Sequence, residues 1–198
     1  MRNTILIVLL SLAVSGCYVQ SLNVFCTDDT ITAFPELMGE WKSEIQMGDA
    51  VTNKQITSWT FKTNKVETYD PENTYSELEV VYFKVADTYF MDFTAGQPVK
   101  DKKEFGNFYW GAGLTRVHSL CKLDIKKSKL TIIPLNLKWF SERIKEGTLN
   151  IPYVKSKDKD SNFIFTATPE EWITFLKKYK DSEDVFNPEY KFVFTKSK

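Results

Sequence analysis

The feature that most constrains the fold is a series of short segments in which apolar and polar side chains alternate. Three of them lie close together, at residues 58–68, 76–85 and 88–94. Alternation with a period of two is typical of β-strands. Turn residues separate the segments, at 70–73 and 86–87. Closely spaced strands with tight turns predict an antiparallel meander.

Two helices are predicted in the C-terminal half, after a hairpin that turns at residues 126–129. The first covers residues 137–146, with Asn136 as its N-cap and Gly147 as its end. The second begins at a capping box. Its apolar side chains then recur at helical spacing and form one buried face. The capping box is Thr168-Pro169-Glu170-Glu171, and the apolar face is Trp172, Phe175, Leu176 and Tyr179.

The triplet Gly39-Glu40-Trp41 stands at the head of the strand series. A Gly-x-Trp at the start of the first strand resembles the lipocalin-like barrels, in which the Trp closes the base of the barrel. The alternative is a Trp in an ordinary strand core, and both interpretations make Trp41 structural. The predicted fold is therefore mainly β with added α: a single lipocalin-like domain over residues 34–198, an antiparallel β-barrel or meander with two helices in its C-terminal half.

The N-terminus has the layout of an export signal. Arg2 precedes an apolar run over residues 5–14, and the small residues Ser15 and Gly16 precede Cys17. About ten apolar residues are too few to cross a bilayer, which needs roughly 20 helical residues. The order Val-Ser-Gly-Cys resembles the lipobox of bacterial lipoproteins. The alternatives are a plain secretory signal with a chance cysteine, or a short anchor that is never cut.

The lipobox resemblance implies a signal peptide over residues 1–16 and a lipidated leader over residues 17–33. Cys17 would then carry a diacylglycerol and, on its amino group, a further acyl chain such as palmitate. Several acyl chains make membrane attachment stable. Tyr18 stands where an Asp would signal inner-membrane retention, which favours the outer membrane, facing the periplasm. The leader is too apolar for a free tether, so we expect part of it to pack on the domain.

Two further cysteines remain once Cys17 is lipidated. Cys26 and Cys121 would lie in an oxidising compartment, where a disulfide can form and persist. Such a bridge would fix the leader to the strand around residue 121. The alternative is two unpaired buried thiols, and the sequence leaves both open because it does not place the two α-carbons.

An aromatic stretch with three glycines, FGNFYWGAG, spans residues 105–113. No Lys-Ser/Thr pair follows it, so it is not a phosphate-binding Walker loop. Aromatic loops can close a barrel mouth over an apolar ligand. The candidate mouth residues are therefore Phe105, Phe108, Tyr109 and Trp110. The alternative is a loop whose rings cap the core.

No pattern for catalysis or cofactor binding stands out. His118 is the only histidine, and no cysteine pair has the spacing of zinc ligands. No nucleophile elbow accompanies His118, so we expect a hydrogen-bonded structural histidine. The sequence predicts no metal site, no cofactor and no catalytic residue, although Asp or Glu chemistry without a pattern is left open.

Charge argues against nucleic acid as a partner. The chain has 26 basic and 26 acidic residues, and the signal peptide removes only Arg2. A nearly neutral protein has no bulk electrostatic attraction to nucleic acid or anionic lipid. Aromatic residues make up 15% of the chain, which is enough to fill a core.

Longer stretches resemble a group of bacterial lipoproteins. The stretches are CYVQSLNVF, FPELMGEW, HSLCKLDI, LTIIPLNLKWF and FTATPEEWITFLKKYKDSEDVF. The group shares a lipidated Cys followed by Gln-Ser-Leu, a Pro-x-Leu-x-Gly-x-Trp strand and a helix before the last strand. The resemblance implies a lipocalin-like barrel with added helices, and it brings no known activity.

Two functions follow as expectations. The first is a membrane-anchored, non-catalytic protein that holds an apolar or amphipathic small molecule in the barrel mouth. The alternative is an envelope interaction or structural protein with a filled barrel and a protein partner. An internal apolar cavity of several hundred cubic ångströms supports the first function, and a filled interior argues against it and favours the second.

Overall fold

The computed structural model describes residues 18–46, 54–70, 74–96, 116–155 and 163–197. Eleven strands and two α-helices lie in these residues, together with three short 3₁₀ turns. The strands are β1 Gln20–Ser21, β2 Gly39–Gln46, β3 Lys54–Phe61, β4 Lys65–Tyr69, β5 Tyr75–Val85, β6 Thr88–Ala95, β7 His118–Lys126, β8 Lys129–Pro134, β9 Tyr153–Lys155, β10 Phe163–Phe165 and β11 Phe192–Lys196. The helices are α1 Leu137–Glu146 and α2 Pro169–Tyr179.

Eight of the strands form a closed antiparallel barrel. The order is β2-β3-β4-β5-β6-β7-β8-β11, and β11 pairs with β2 to close the ring. Closure leaves these strands without a free edge along the barrel wall. The predicted fold class, mainly β with a lipocalin-like barrel and two helices, is confirmed.

The prediction of one strand over residues 58–68 is wrong. The chain turns at residues 62–64, so that β3 and β4 form a hairpin in which Phe61 pairs with Val66. The physical reason lies in the spacing. Val66 stands five positions after Phe61, an odd number, so a single strand would place their side chains on opposite faces. The hairpin places both in the same core, where they are 1% and 0% exposed.

The barrel wall is apolar on both faces over part of its surface. On β5, Val80 and Tyr82 point into the barrel, while Phe83 and Val85 point outward. The outward side chains pack under the two helices and the leader, in a second cluster that we call the outer layer. The domain therefore has two cores, one inside the barrel and one between the barrel and its helices.

Both helices begin where the local sequence predicts, and α1 also ends where it predicts. The Asn136 side chain accepts hydrogen bonds from the backbone at the start of α1, and Gly147 ends this helix with a left-handed φ of 64°. Thr168 and Glu171 form the capping box of α2. The apolar face of α2 packs in the outer layer, where Trp172 and Leu176 are fully buried.

The leader is an integral part of the fold. β1 pairs antiparallel with β7 at His118 and Ser119, beyond the point where β8 ends. β10 continues this side sheet in parallel with β1, and β9 pairs with β10. The expectation that part of the leader packs on the domain is confirmed.

Candidate functional site

One end of the barrel, which we call the base, is sealed. It is the end at which β2 begins and β3 finishes. Trp41 and Leu37 are fully buried there, and the Trp41 indole N–H donates to the Leu37 carbonyl at 2.7 Å. The ring of Phe34 stacks on Tyr89 at 3.9 Å between centroids. Lys196 closes this end from outside, since its ammonium lies 5.1 Å from the centre of the Trp41 ring.

The middle of the barrel is filled by its own side chains. Large inward-facing residues from most strands meet there and are at most 5% exposed. Close packing of this kind leaves little room for another molecule. These residues are Phe61, Val66, Val80, Tyr82, Met91, Cys121, Leu123, Leu130, Ile132 and Phe194.

The opposite end, which we call the mouth, is different. Strands β2, β4 and β6 end here, and β3, β5 and β7 begin here. The inward-facing side chains of Trp59, Leu78 and Phe93 are only partly buried here. Ser76, on the same face of β5 as Leu78, is exposed. The inner wall therefore changes from fully buried near the base to partly open near the mouth.

Phe192 extends this apolar lining at the rim. It lies on the same face of β11 as the buried Phe194, yet its exposed fraction is 38%. The predicted mouth residues Phe105, Phe108, Tyr109 and Trp110 lie outside the described residues. They belong to the connection between β6 and β7, whose two flanking strand ends stand at the mouth.

Tyr18 joins the mouth to a neighbouring groove. Its ring meets Phe93 edge to face, with centroids 5.7 Å apart. Beside it lies a groove of about 670 Å³, which we call the rim groove. Its apolar lining is Tyr18, Pro134, Leu135, Leu137 and Phe192, and its polar lining is Asn136, Lys138, Ser141, Glu189 and Lys191. Cys17, the predicted lipidation site, lies outside the described residues and directly precedes Tyr18.

The leader is held by a buried polar cluster that alternation alone did not single out. Asp92 is 2% exposed and accepts hydrogen bonds from the Phe25 backbone N–H at 2.8 Å. Its other oxygen lies 2.9 Å from His118 Nδ1. The signal was available in the sequence, because Asp92 shares its strand face with the apolar Phe90. His118 is hydrogen-bonded, as predicted.

Ser21 is the second polar contact of the leader. Its hydroxyl is fully buried and accepts a hydrogen bond from the Trp172 indole N–H at 3.1 Å. The Phe25 ring lies 4.4 Å from Trp172, between centroids. These contacts tie the leader to α2 as well as to the barrel.

Cys26 and Cys121 are free thiols in this structure, and both are buried. They lie on opposite sides of the barrel wall, Cys26 in the outer layer and Cys121 in the interior. Burial, with Asp92 and Asp28 nearby, raises the pKa of the Cys26 thiol to about 12. Burial also raises the pKa of Cys121. Buried protonated thiols of this kind are poor nucleophiles.

The described residues offer no metal centre and no membrane-spanning helix. No three His, Cys, Asp or Glu side chains among them come close enough to hold a metal ion. In the same part of the chain, no helix has the length and apolar character needed to span a membrane.

Ion pairs gather on the outer wall of β4 and β5. Lys65 contacts Glu67 at 3.2 Å and Glu77 at 2.8 Å. Hydrogen bonds from Lys62 and Lys65 lower the pKa of Glu67, and hydrogen bonds from Lys65 and Tyr75 lower that of Glu77. This cluster lies on the outside of the wall and does not face the mouth.

The barrel follows from the strand pairing alone, and the resemblance to bacterial lipoproteins stays a prediction. No protein-family model, no curated protein and no solved structure matches this chain.

Proposed function

We propose that the protein is a lipid-anchored, non-catalytic binding protein that holds an apolar or amphipathic small molecule in the mouth half of its barrel. The observation that carries the proposal is the change along the inner wall. The base is sealed by Trp41 and Leu37, whereas Trp59, Leu78 and Phe93 remain partly open near the mouth. Apolar concave walls with a few polar groups are typical of small-molecule sites.

Polar groups accompany this apolar wall. By strand parity, Thr57 and Thr68 face the interior at the mouth, next to Ser76. Hydroxyls at this level suit the polar end of an amphipathic ligand, while the rings below suit its apolar part. A single-chain amphiphile with its polar end at the mouth fits this arrangement best.

Binding is tested with a fatty acid that carries an environment-sensitive fluorophore. We expect saturable binding of one probe per chain, with competition by unlabelled fatty acid. Leu78→Lys should raise the dissociation constant of the probe by roughly tenfold or more, because it places a charge in the apolar lining. The control is Ile56→Lys, the same change on the outer wall of β3, where Ile56 is 54% exposed.

A second inward variant guards against a folding defect. Leu78→Trp adds bulk without charge. It should also weaken binding of the probe, at an unchanged melting temperature. Equal binding by the wild type and both Leu78 variants would rule out the mouth as the ligand site.

The anchor is the second part of the proposal. We place the lipid on Cys17 and the protein in the cell envelope, at the outer membrane and facing the periplasm, on the strength of the lipobox resemblance. Cys17→Ser should move the protein from the membrane fraction to the soluble fraction. If the variant still sediments with membranes, the lipid anchor is wrong.

The alternative function, an envelope protein with a filled barrel and a protein partner, has one observation in its favour. The interior from the base to the middle is filled by large side chains such as Phe61, Tyr82 and Met91. A probe that fails to bind would favour this function, and crosslinking in the envelope would then identify the partner.

A further inference from the structure

The leader leaves no free tether between the proposed anchor and the body of the protein. Val19 is 2% exposed, and Ser21 and Phe25 are fully buried. Ser21 and Phe25 are held by hydrogen bonds to Trp172 and Asp92. Consecutive α-carbons are about 3.8 Å apart, so a lipid on Cys17 starts one residue from the fixed Tyr18.

Tyr18 marks the end of the barrel that this anchor holds. Its ring contacts Phe93 of the mouth and also lines the rim groove. The base lies at the far end of the strands. β6 has eight residues, so the two ends are about 25 Å apart along that strand.

We infer that the anchored protein sits on the bilayer with its mouth and rim groove towards the membrane, and that its ligand is a membrane lipid, one acyl chain of which enters the mouth half of the barrel directly from the bilayer. This inference rests on the proposed function and its Cys17 anchor. It names both the class of ligand and the surface that meets the membrane.

The chemistry of the rim groove fits a bilayer surface. Its floor is apolar, with Leu135 buried and Phe192 partly exposed at the edge. Lys138 and Lys191 stand exposed beside it, where lipid phosphates would lie; Lys138 also lies 4.0 Å from Glu142, and Glu189 is the one acidic side chain among the described lining residues. An aromatic ring and long basic side chains are typical of membrane–water interfaces.

Contact between mouth and bilayer also removes a kinetic obstacle. Each methylene of an acyl chain favours the bilayer over water about fourfold in the partition coefficient. A long acyl chain therefore leaves the bilayer for water very slowly. A mouth held at the membrane surface lets the chain pass between two apolar surroundings. The short anchor therefore has a functional consequence as well as a positional one.

Orientation is tested with two matched lysine-to-cysteine variants of the lipidated protein. Lys138→Cys lies at the rim groove, and Lys126→Cys lies at the base hairpin, with exposed side-chain fractions of 77% and 81% for the native lysines. Each variant carries a thiol-reactive fluorophore in vesicles of phosphatidylethanolamine and phosphatidylglycerol with brominated acyl chains. Cys26 and Cys121 are buried and stay unlabelled.

We expect bromine to quench the fluorophore at position 138 several-fold more strongly than the one at position 126. Equal quenching, or stronger quenching at 126, would overturn the orientation. If that happens while the fluorescent fatty acid still binds, the binding function stands and the inference alone falls. If position 138 is quenched but no probe binds, the lipid-uptake half of the inference falls together with the binding function.

Uptake from the bilayer is tested with a spacer. A Gly/Ser insert of about 12 residues between Cys17 and Tyr18 lifts the mouth from the anchor by about 20 Å. We expect several-fold weaker crosslinking to a photoactivatable phospholipid in vesicles, with unchanged affinity for the soluble fluorescent fatty acid. Unchanged crosslinking would contradict direct entry from the membrane.

Discussion

Asp92 is the residue on which the attachment of the leader depends most. A carboxylate that is 2% exposed is stable in an apolar layer only if its oxygens are hydrogen-bonded, and here Phe25 and His118 satisfy them. The polar contact therefore fixes the course of the leader, and through it the position of Tyr18 at the mouth.

Replacing Asp92 tests this role. Asp92→Ala leaves the buried Phe25 N–H without an acceptor, which should lower the free energy of unfolding by about 2–3 kcal/mol. Asp124→Ala is the control, because Asp124 is half exposed and pairs only with Lys126 at 3.0 Å. The Asp124→Ala substitution should change the free energy of unfolding by no more than about 0.5 kcal/mol. Urea denaturation measures both, and a small effect for both would show that Asp92 does not hold the leader.

The two buried thiols predict a loss of stability at alkaline pH. The pKa of Cys26 is raised from 9.0 to about 12, and that of Cys121 is also raised. Above pH 9 the unfolded chain loses thiol protons that the native chain keeps. The contribution of the two thiols to the free energy of unfolding is therefore fully present below pH 9. It is lost progressively as the pH rises towards 12.

Measuring the free energy of unfolding at a series of pH values checks this expectation. A Cys26→Ala, Cys121→Ala double variant should lose less stability between pH 9 and pH 11 than the wild type. Burial also raises the pKa of Tyr82 and, to about 12, that of Tyr75, so both proteins share an alkaline loss of stability from these tyrosines. A thiol reagent should also find two free thiols in the unreduced, unfolded chain from Tyr18 onward, and none if the cysteines are bridged.

At the scale of elements, both bounds of α1 and the start of α2 were predicted to the residue, and one hairpin was missed. Capping signals such as Asn136, Gly147 and Thr168 act within one helical turn, so a short window of sequence contains them completely. The turn between β3 and β4 has no Gly or Pro, so Asn64 and the change in spacing between Phe61 and Val66 are its only signals in this stretch.

The capping box of α2 gives a prediction for one element. Thr168→Ala removes the acceptor for the Glu171 N–H and should lower the free energy of unfolding by about 1 kcal/mol. Thr174→Ala is the matched control in the exposed middle of the same helix. It should be neutral or slightly stabilising, because alanine has the higher helix propensity. Equal losses in chemical denaturation would mean that the cap contributes nothing.

At the scale of the whole molecule, the spacing of the strands predicts the meander, whereas only the Gly-x-Trp resemblance points to its closure into a barrel. Strands β5 and β6 adjoin in sequence, whereas closure joins Lys196 to Trp41 across most of the chain. The same limit applies to the site. The sequence indicates an apolar ligand, but only the strand register shows that Trp59, Leu78 and Phe93 share the open part of the inner wall.

The most direct test of ligand binding in the mouth half of the barrel is native mass spectrometry of the chain from Tyr18 onward, after incubation with lipids extracted from a bacterial envelope. We expect one added mass per chain in the wild type, removed by solvent extraction, and no added mass in Leu78→Trp. A spectrum that shows only the unliganded mass, in the wild type and the variant alike, would contradict ligand binding in the mouth half and favour a filled barrel.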